Sequence, residues 1–398
     1  MNKKIRTLLF STLFPSSARP IHGIFVESRL VHLLKSGRVE TKVVAPVTWF
    51  PFKSERFGSY AQMAQTPHHE HRNGLEVYHP RYLLPPKVGQ NIAPFLLAMG
   101  ALPVVKKILN DGFDFDVIDA HFWYPDGVAA CILARLLKKP FVCTARGSDI
   151  TLYRNHWLPD KYLRHALKQS EANIAVCTDL VNQMVEMGAP AERSLAIRNG
   201  VDLERFAPLP PAQARQILGL PAEGLLLLSV GHLIERKGHH LAIEMLLEFK
   251  AARLVIVGAG PMEAELRALA DRLQVQGRVV FAGMQPNALL ATYYSAADVL
   301  VLASSFEGWA NVLLESMACG TPVVATPVNG TPEVVAAPEA GRLATARDAA
   351  SLNQALHALL SDYPQRSDVR KYAEKFSWEE TTRLQCELFA GIQEKMAI

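Results

Sequence analysis

The sequence predicts an α/β chain built as two doubly wound, Rossmann-like domains. Short β-branched or leucine-rich runs alternate with amphipathic stretches along its whole length. These runs lack the polar–apolar alternation of a half-exposed sheet, which indicates parallel strands covered by helices on both faces. The rhythm occurs twice, and 398 residues exceed what one ordinary core holds.

In the first half the strands are read at IRTLLF, ETKVVAP, FDVIDAH, PFVCTA and NIAVC. In the second half they are LLLLSVG, RLVIVG, RVVFAG, ADVLVLAS and TPVVAT, with helices such as HHLAIEMLLEFK and PMEAELRALADRL between them. The opening MNKKIRTLLFSTLF has lysines ahead of an apolar run, as a signal peptide does. Arg6, Ser11 and Thr12 interrupt that run and no small-x-small cleavage site follows, so it is read as a first buried strand. In RNGVDLERFAPLPPAQ a turn-prone Asn-Gly precedes a proline cluster, which places the join there. The domains are therefore read as 1–205 and 206–375, with a final segment 376–398.

One stretch breaks the rhythm. Trp49 to Gly74 is long, carries PVTWFPFKSERF and PHHEHRNG, and reads as a mobile excursion. His68, His69 and His71 beside Glu70 have the residue types of a metal site. Adjacent histidines in an extended chain splay apart, however, so a solvated histidine-rich loop is expected.

Apolar residues make up 49% and charged residues 20%, values of an ordinary globular protein. The apolar runs are shorter than the ~20 residues a membrane-spanning helix needs. Residues 1–205 hold 26 Lys/Arg against 18 Asp/Glu, whereas the remainder holds 16 against 20. A basic first half suits an anionic partner: a phosphate-bearing substrate, an anionic membrane surface or nucleic acid. It has neither a recognisable nucleic-acid module nor a dense basic stripe, so no nucleic acid is expected. The five cysteines are scattered, with no C-x-x-C, and are read as buried thiols in a reducing compartment.

In doubly wound sheets ligands bind beyond the carboxyl ends of the strands. In LLLLSVGHLIERKGHH the strand ends at Gly231, the helix begins near Gly238 or His239, and Arg236 and Lys237 stand between. Cations are unfavourable at a helix N-terminus unless an anion shares the site, and a diphosphate would serve. The other reading is two solvated charges on a loop. RLVIVGAGP fails as a dinucleotide fingerprint for lack of a third glycine, and its Gly258 and Gly260 read as a tight turn.

In EGWANVLLESMACGTPVVA the preceding strand ends at Ser304 and a helix is expected over 311–318. The N–H groups of Trp309, Ala310, Asn311 and Val312 are expected to form an anion cradle. Carboxylates facing phosphates would repel them, so Glu307 and Glu315 are assigned to vicinal diols, for which an acceptor-only group is suited. Diol, diphosphate, diol describes a nucleotide sugar.

Glu307 and Glu315 with the run SMACGTPVVA resemble the donor signature of retaining GT-B glycosyltransferases of family 4. GHLIERKG resembles that family's diphosphate loop and RNGVDLERF its interdomain motif. FSWEET resembles the segment whose helix crosses back to the first domain, and PIHGIFVESRL the glycine loop and helix over the donor phosphates. The resemblance implies two Rossmann-like domains facing across a cleft. It implies that Glu315 holds the ribose diol, Glu307 hexose hydroxyls, and Lys237, assisted by Arg236, the diphosphate. Gly23 would let backbone approach the phosphates. His121, at the end of FDVIDAH, matches the histidine beside the sugar and the glycosidic oxygen. Met284 and Asn287 are named for the base.

Two positions depart from the family. His232 stands where an arginine often follows the glycine of the diphosphate loop, and Arg146 in TARGSDI stands where histidine is common. Arg146 is assigned to an anionic acceptor or to the donor phosphates, or simply to pairing with Asp149. DFD at Asp114–Asp116 has a metal-binding form but lies at the amino end of its strand, so it is read as solvated acids. No obligatory metal is expected, because basic side chains and helix N-termini would meet the leaving-group charge.

The implied reaction is hexose transfer from a nucleoside diphosphate sugar to an acceptor hydroxyl with retention, by front-face displacement. The acceptor is expected to be a saccharide or lipid-linked intermediate of bacterial surface polysaccharide, reached from the cytoplasmic side of the membrane with peripheral contact to anionic lipid. Trp49, Phe50 and Phe52 read either as a lipid contact or as a local cap. Two rivals share the ligand: an NDP-sugar epimerase, which needs no acceptor, and a non-catalytic nucleotide-sugar binding protein.

Overall fold

The computed structural model describes residues 4–85 and 89–396. The chain divides into two compact units, Met1–Arg198 with Glu379–Ile398, and Asn199–Trp378.

The first unit carries strands β1 (Ile5–Phe10), β2 (Val39–Val44), β3 (Val47–Thr48), β4 (His69–Arg72), β5 (Leu75–Tyr78) and β6 (Arg81–Tyr82). They are followed by β7 (Val117–His121), β8 (Phe141–Ala145), β9 (Ala172–Ala175) and β10 (Ser194–Ala196). Its main sheet runs β10-β9-β8-β7-β1-β2-β5-β4, with β3 and β6 pairing separately. Every pair in the main sheet is parallel except β4 with β5. Central strands such as β7 and β8 are buried at every residue, which is why they show no alternation.

The second unit carries β11 (Leu226–Val230), β12 (Arg253–Val257), β13 (Val279–Gly283), β14 (Val299–Leu302), β15 (Val323–Ala325) and β16 (Gly341–Leu343). The sheet order is β13-β12-β11-β14-β15-β16, wholly parallel. Chain direction across the sheet reverses between β11 and β14, and the loops leaving those two strands diverge into a crevice. In the first unit the equivalent reversal lies between β1 and β7.

The join falls at Arg198/Asn199, seven residues before the expected position after 205. The reason is that the Asn-Gly segment is held by the second unit. Val201 N–H donates to the Phe376 carbonyl at 2.9 Å. Arg370 donates to the Phe206 carbonyl at 2.6 Å and to that of Leu203 at 3.1 Å. The last helix, Trp378–Met396, is grouped from Glu379 onward with the first unit, where Cys386, Phe389 and Ile392 pack with Ile5, Leu9 and Leu30.

Three expectations are corrected here. The stretch from Trp49 to Gly74 is not a mobile excursion. It contains a helix at Ser59–Gln65 and the antiparallel strand β4, and Phe50 packs against Phe52, Phe57 and Tyr60 as a local aromatic cap. Asp116 is not merely solvated: it accepts the Arg6 N–H at 2.7 Å and the Gln393 amide at 3.0 Å. Among the described residues one helix, Gly89–Asn110, is long and apolar enough by length and composition to cross a membrane. Asn91, Pro94, Gly100 and Pro103 break its apolar run in the sequence and hid it.

Phe389 is fully buried. Replacing it by Ala should lower the first unit's stability to urea by about 3–5 kcal/mol. A loss below about 1 kcal/mol would remove the last helix from that core.

Candidate active site

The β11–β14 crevice is built by close backbone contact. Gly231 and Gly258 touch so tightly that a Cβ on Gly258 would lie 1.8 Å from the Gly231 carbonyl oxygen. This is the packing turn expected of Gly258. After a short turn at Glu235–Lys237, Gly238 adopts φ 68°, and a Cβ there would lie 2.0 Å from the Ala303 carbonyl oxygen. Only glycine meets both demands. The contact presses the loop after β11 against the end of β14. Ser305 N–H donates to the Arg236 carbonyl at 2.8 Å, and the Arg236 guanidinium returns to the Phe306 carbonyl at 2.9 Å.

These contacts bring Lys237 and Glu307 together. Glu307 Oε1 accepts from Lys237 Nζ at 2.5 Å and from Ser304 Oγ at 2.7 Å, in a nearly enclosed position. The two side chains assigned separately to phosphate and sugar thus form one ion pair. Arg347, which the sequence reading missed, fastens the arrangement. Its Nε donates to the Ala303 carbonyl at 3.0 Å and its Nη2 to the Glu235 carbonyl at 2.8 Å. It lies 110 residues downstream of Lys237, with no local pattern to mark it.

Glu315 stands on the helix Asn311–Ala318, as expected. Its Oε2 accepts from the Tyr294 hydroxyl at 2.7 Å, and burial raises its carboxyl above the ordinary carboxylate range. Tyr294 was also missed. Helical spacing turns it inward with Ala291 and Ser295, and a buried tyrosine hydroxyl calls for such a partner. The expected cradle of four N–H groups is corrected at Asn311, whose N–H donates to the Trp309 carbonyl at 3.0 Å. Ala310 between them, at φ −81° and ψ 83°, forms an inverse γ-turn. Trp309 and Ala310 are buried, and Val312 lies in the helix's first turn. His232 is exposed, as is Met284 beyond β13, while Asn287 opens the helix Asn287–Ala296.

In the first unit Gly23 caps the helix Ile24–Lys35 at φ 68°, and a Cβ on it would lie 2.3 Å from the Leu13 carbonyl. The loop leading to it is clamped from two sides. Thr12 N–H donates to Asp126 Oδ2 at 2.6 Å, and burial pushes the Asp126 carboxyl up to about 7. From the β4–β5 hairpin, Glu70 accepts the Ser17 N–H at 3.1 Å, while Arg72 binds Glu27 at 2.6 Å and the Pro20 carbonyl at 3.2 Å. The histidine-rich stretch therefore serves as a brace. His79 contacts Glu70 at 2.8 Å and the Ala45 carbonyl at 2.9 Å.

His121 ends β7 with only 1% exposure. Arg146 Nη2 lies 2.7 Å from its Nδ1, and Asp119 Oδ2 lies 3.4 Å from its Nε2. A guanidinium only donates, so Nδ1 accepts and the ring proton sits on Nε2, facing Asp119. Burial, with help from the Arg146 charge, pushes this imidazole down to about 4, so it is neutral near pH 7. Asp119 is held in turn by Gln385 at 3.0 Å, and Gln385 accepts from Arg29 at 3.0 Å. Both ring nitrogens thus face groups of the first unit itself. Asp149 accepts the backbone N–H groups of Trp123, Arg146 and Gly147.

Buried His239, beside Ser229 Oγ at 2.8 Å, is likewise pushed down to about 4 by burial. An unfolded chain binds that proton below about 6.5, so acidification across that window favours unfolding. His239→Gln should remove this term. The stability difference between parent and variant, from denaturant titrations, should be flat above about pH 7 and fall between about 6.5 and 4.

Residues 212–376 match the family described as glycosyl transferases group 1, and residues 30–205 match glycosyltransferase family 4. The chain is 30% identical over 336 residues to TuaC of Bacillus subtilis (strain 168), named for teichuronic acid biosynthesis, covering 82% of each chain. It is 34% identical over 260 residues to the colanic acid biosynthesis glycosyltransferase WcaL of Escherichia coli (strain K12), covering 62% of each. Among solved structures it resembles sucrose-phosphate synthase from Thermosynechococcus elongatus, with TM-score 0.78, 20% identity and coverage of 98% and 99%. HepE of Anabaena in complex with UDP gives TM-score 0.72 at 20% identity, covering 98% of this chain and all of that one. With Lys237, Glu307 and Glu315 gathered along the second sheet's carboxyl edge, the chain belongs to glycosyltransferase family 4 and is a transferase of the GT-B fold.

Proposed function

We propose that this enzyme transfers a hexose from a nucleoside diphosphate sugar to an acceptor hydroxyl, with retention and without an obligatory metal. The carrying observation is the Lys237–Glu307 pair at the β11–β14 crossing. A diphosphate there would draw Lys237 from the carboxylate onto its own oxygens, with Arg236 alongside. Glu307, still held by Ser304, would then accept hydroxyls of the hexose. Glu315, steadied by Tyr294, would accept the ribose diol. The reading is supported by HepE, solved with UDP and with UDP-glucose.

Front-face displacement follows from this allotment. The departing phosphate oxygen takes the acceptor's proton, and Lys237 and the N-terminus of the helix beginning at His239 bear the leaving charge. Gly23 would let loop backbone approach the phosphates, as the family resemblance implies. His121, neutral and fixed by Arg146 and Asp119, acts by position at the sugar rather than as a base. Met284 and Asn287 remain the proposed base contacts. Relatives named for teichuronic and colanic acid biosynthesis support a role in surface-polysaccharide assembly. The acceptor is then a saccharide or lipid-linked intermediate at the cytoplasmic face of the membrane.

Calorimetry of UDP and GDP in EDTA should show binding of one nucleotide. Lys237→Ala and Glu315→Gln should each weaken it about tenfold or more, the scale of a charge-assisted hydrogen bond. Unchanged nucleotide affinity in both variants would overturn the assignment. Anomeric analysis of the product by NMR tests retention.

A further inference from the structure

The helix Gly89–Asn110 is committed to the first unit along one side only. Ala93, Leu97, Ala101, Val105 and Ile108 are buried in that unit, so the helix lies on it and does not stand free to cross a bilayer. Its opposite side is apolar as well. Ile92, Phe95 and Met99 follow at helical spacing, and Met99 is 70% exposed.

A second helix continues this surface. Trp157–Gln169 turns Pro159, Leu163, Ala166 and Leu167 inward and presents Trp157, Lys161, Arg164 and Lys168 along its outer side. Trp157 is 77% exposed. Two contacts make the surface continuous: the Phe95 and Tyr162 rings lie 5.3 Å apart, and the Tyr124 hydroxyl, packed on Tyr153, donates to the Gln90 carbonyl at 2.5 Å. Arg164 pairs with Asp160, and Lys107 with Asp111. Lys106, Lys161 and Lys168 form no ion pair among the described residues.

We infer that this two-helix face docks on the interfacial layer of a bilayer containing anionic lipid. Charge decides the occupant. An apolar stripe with an exposed tryptophan, bordered by unpaired lysines, matches acyl boundary and anionic headgroups together. A second copy of the chain would set these lysines against its own. The inference deepens the proposed function and rests on its membrane-borne acceptor. It also places the contact on this face rather than on the aromatic cap around Phe50.

The full-length protein would be sedimented with vesicles of phosphatidylcholine alone, and with vesicles containing about one third phosphatidylglycerol. Binding is expected only to the anionic vesicles, weakening with salt and shifting Trp157 fluorescence to the blue. Each lysine near such a surface contributes about fivefold, so the triple variant Lys106→Ala, Lys161→Ala, Lys168→Ala should bind about 100-fold more weakly. Met99→Glu should also release the protein, and both variants should keep the parent's affinity for whichever of UDP and GDP it binds. No binding to anionic vesicles, or equal binding by parent and variants, would overturn the inference. So would a concentration-dependent dimer dissolved by Met99→Glu in a protein that ignores vesicles. Vesicle binding without nucleotide binding would leave the docking face standing and sink the donor-site reading instead.

Discussion

The second unit's chemistry depends on how closely two stretches of backbone approach. Between Gly238 and the Ala303 carbonyl there is no room for a side-chain carbon. That contact sets the loop after β11 against the end of β14, and everything polar nearby follows from it. The exchange between Arg236 and the 305–306 backbone locks the two loops in register, and Arg347 fastens them from the far side. Lys237 reaches Glu307 because the loops that carry them cannot separate. Interior packing is stiff, so a displacement of an ångström at Gly238 would be transmitted to the carboxylate.

The first unit works through buried polar contacts instead. A line of side chains runs from Arg29 through Gln385 and Asp119 to His121 and Arg146. A buried polar group without partners is costly, so each member constrains its neighbour. The outcome is a histidine of defined tautomer. Its geometry is set partly by a residue 264 positions away in sequence, on the last helix.

Much of this was legible in the sequence, for reasons that differ from residue to residue. IRTLLF, FDVIDAH and ADVLVLAS could be read because a strand buried on both faces leaves a continuous apolar run. The helix over 311–318 was legible because Gly320 and Pro322 punctuate its end. Glu307 and Glu315 stood out because two carboxylates flanking a loop-to-helix transition are hard to explain without a ligand. Their partners were illegible: nothing near Lys237 in sequence announces Arg347, and nothing near Glu315 singles out Tyr294. The β4–β5 hairpin was misread because its role lies wholly in long-range bonds to Ser17, Pro20 and Glu27. The Asn311 N–H was lost from the cradle through a three-residue turn that composition does not reveal.

The last helix has a consequence for how the protein is made. Synthesis proceeds from the N-terminus, so residues 1–198 emerge long before Cys386, Phe389 and Ile392, which complete their core. Until then Arg29 and Asp119 also lack the Gln385 amide that joins them. The second unit, Asn199–Trp378, is continuous in sequence and holds its own core, so it can close first. On the ribosome, the half of the chain born first is therefore the half finished last.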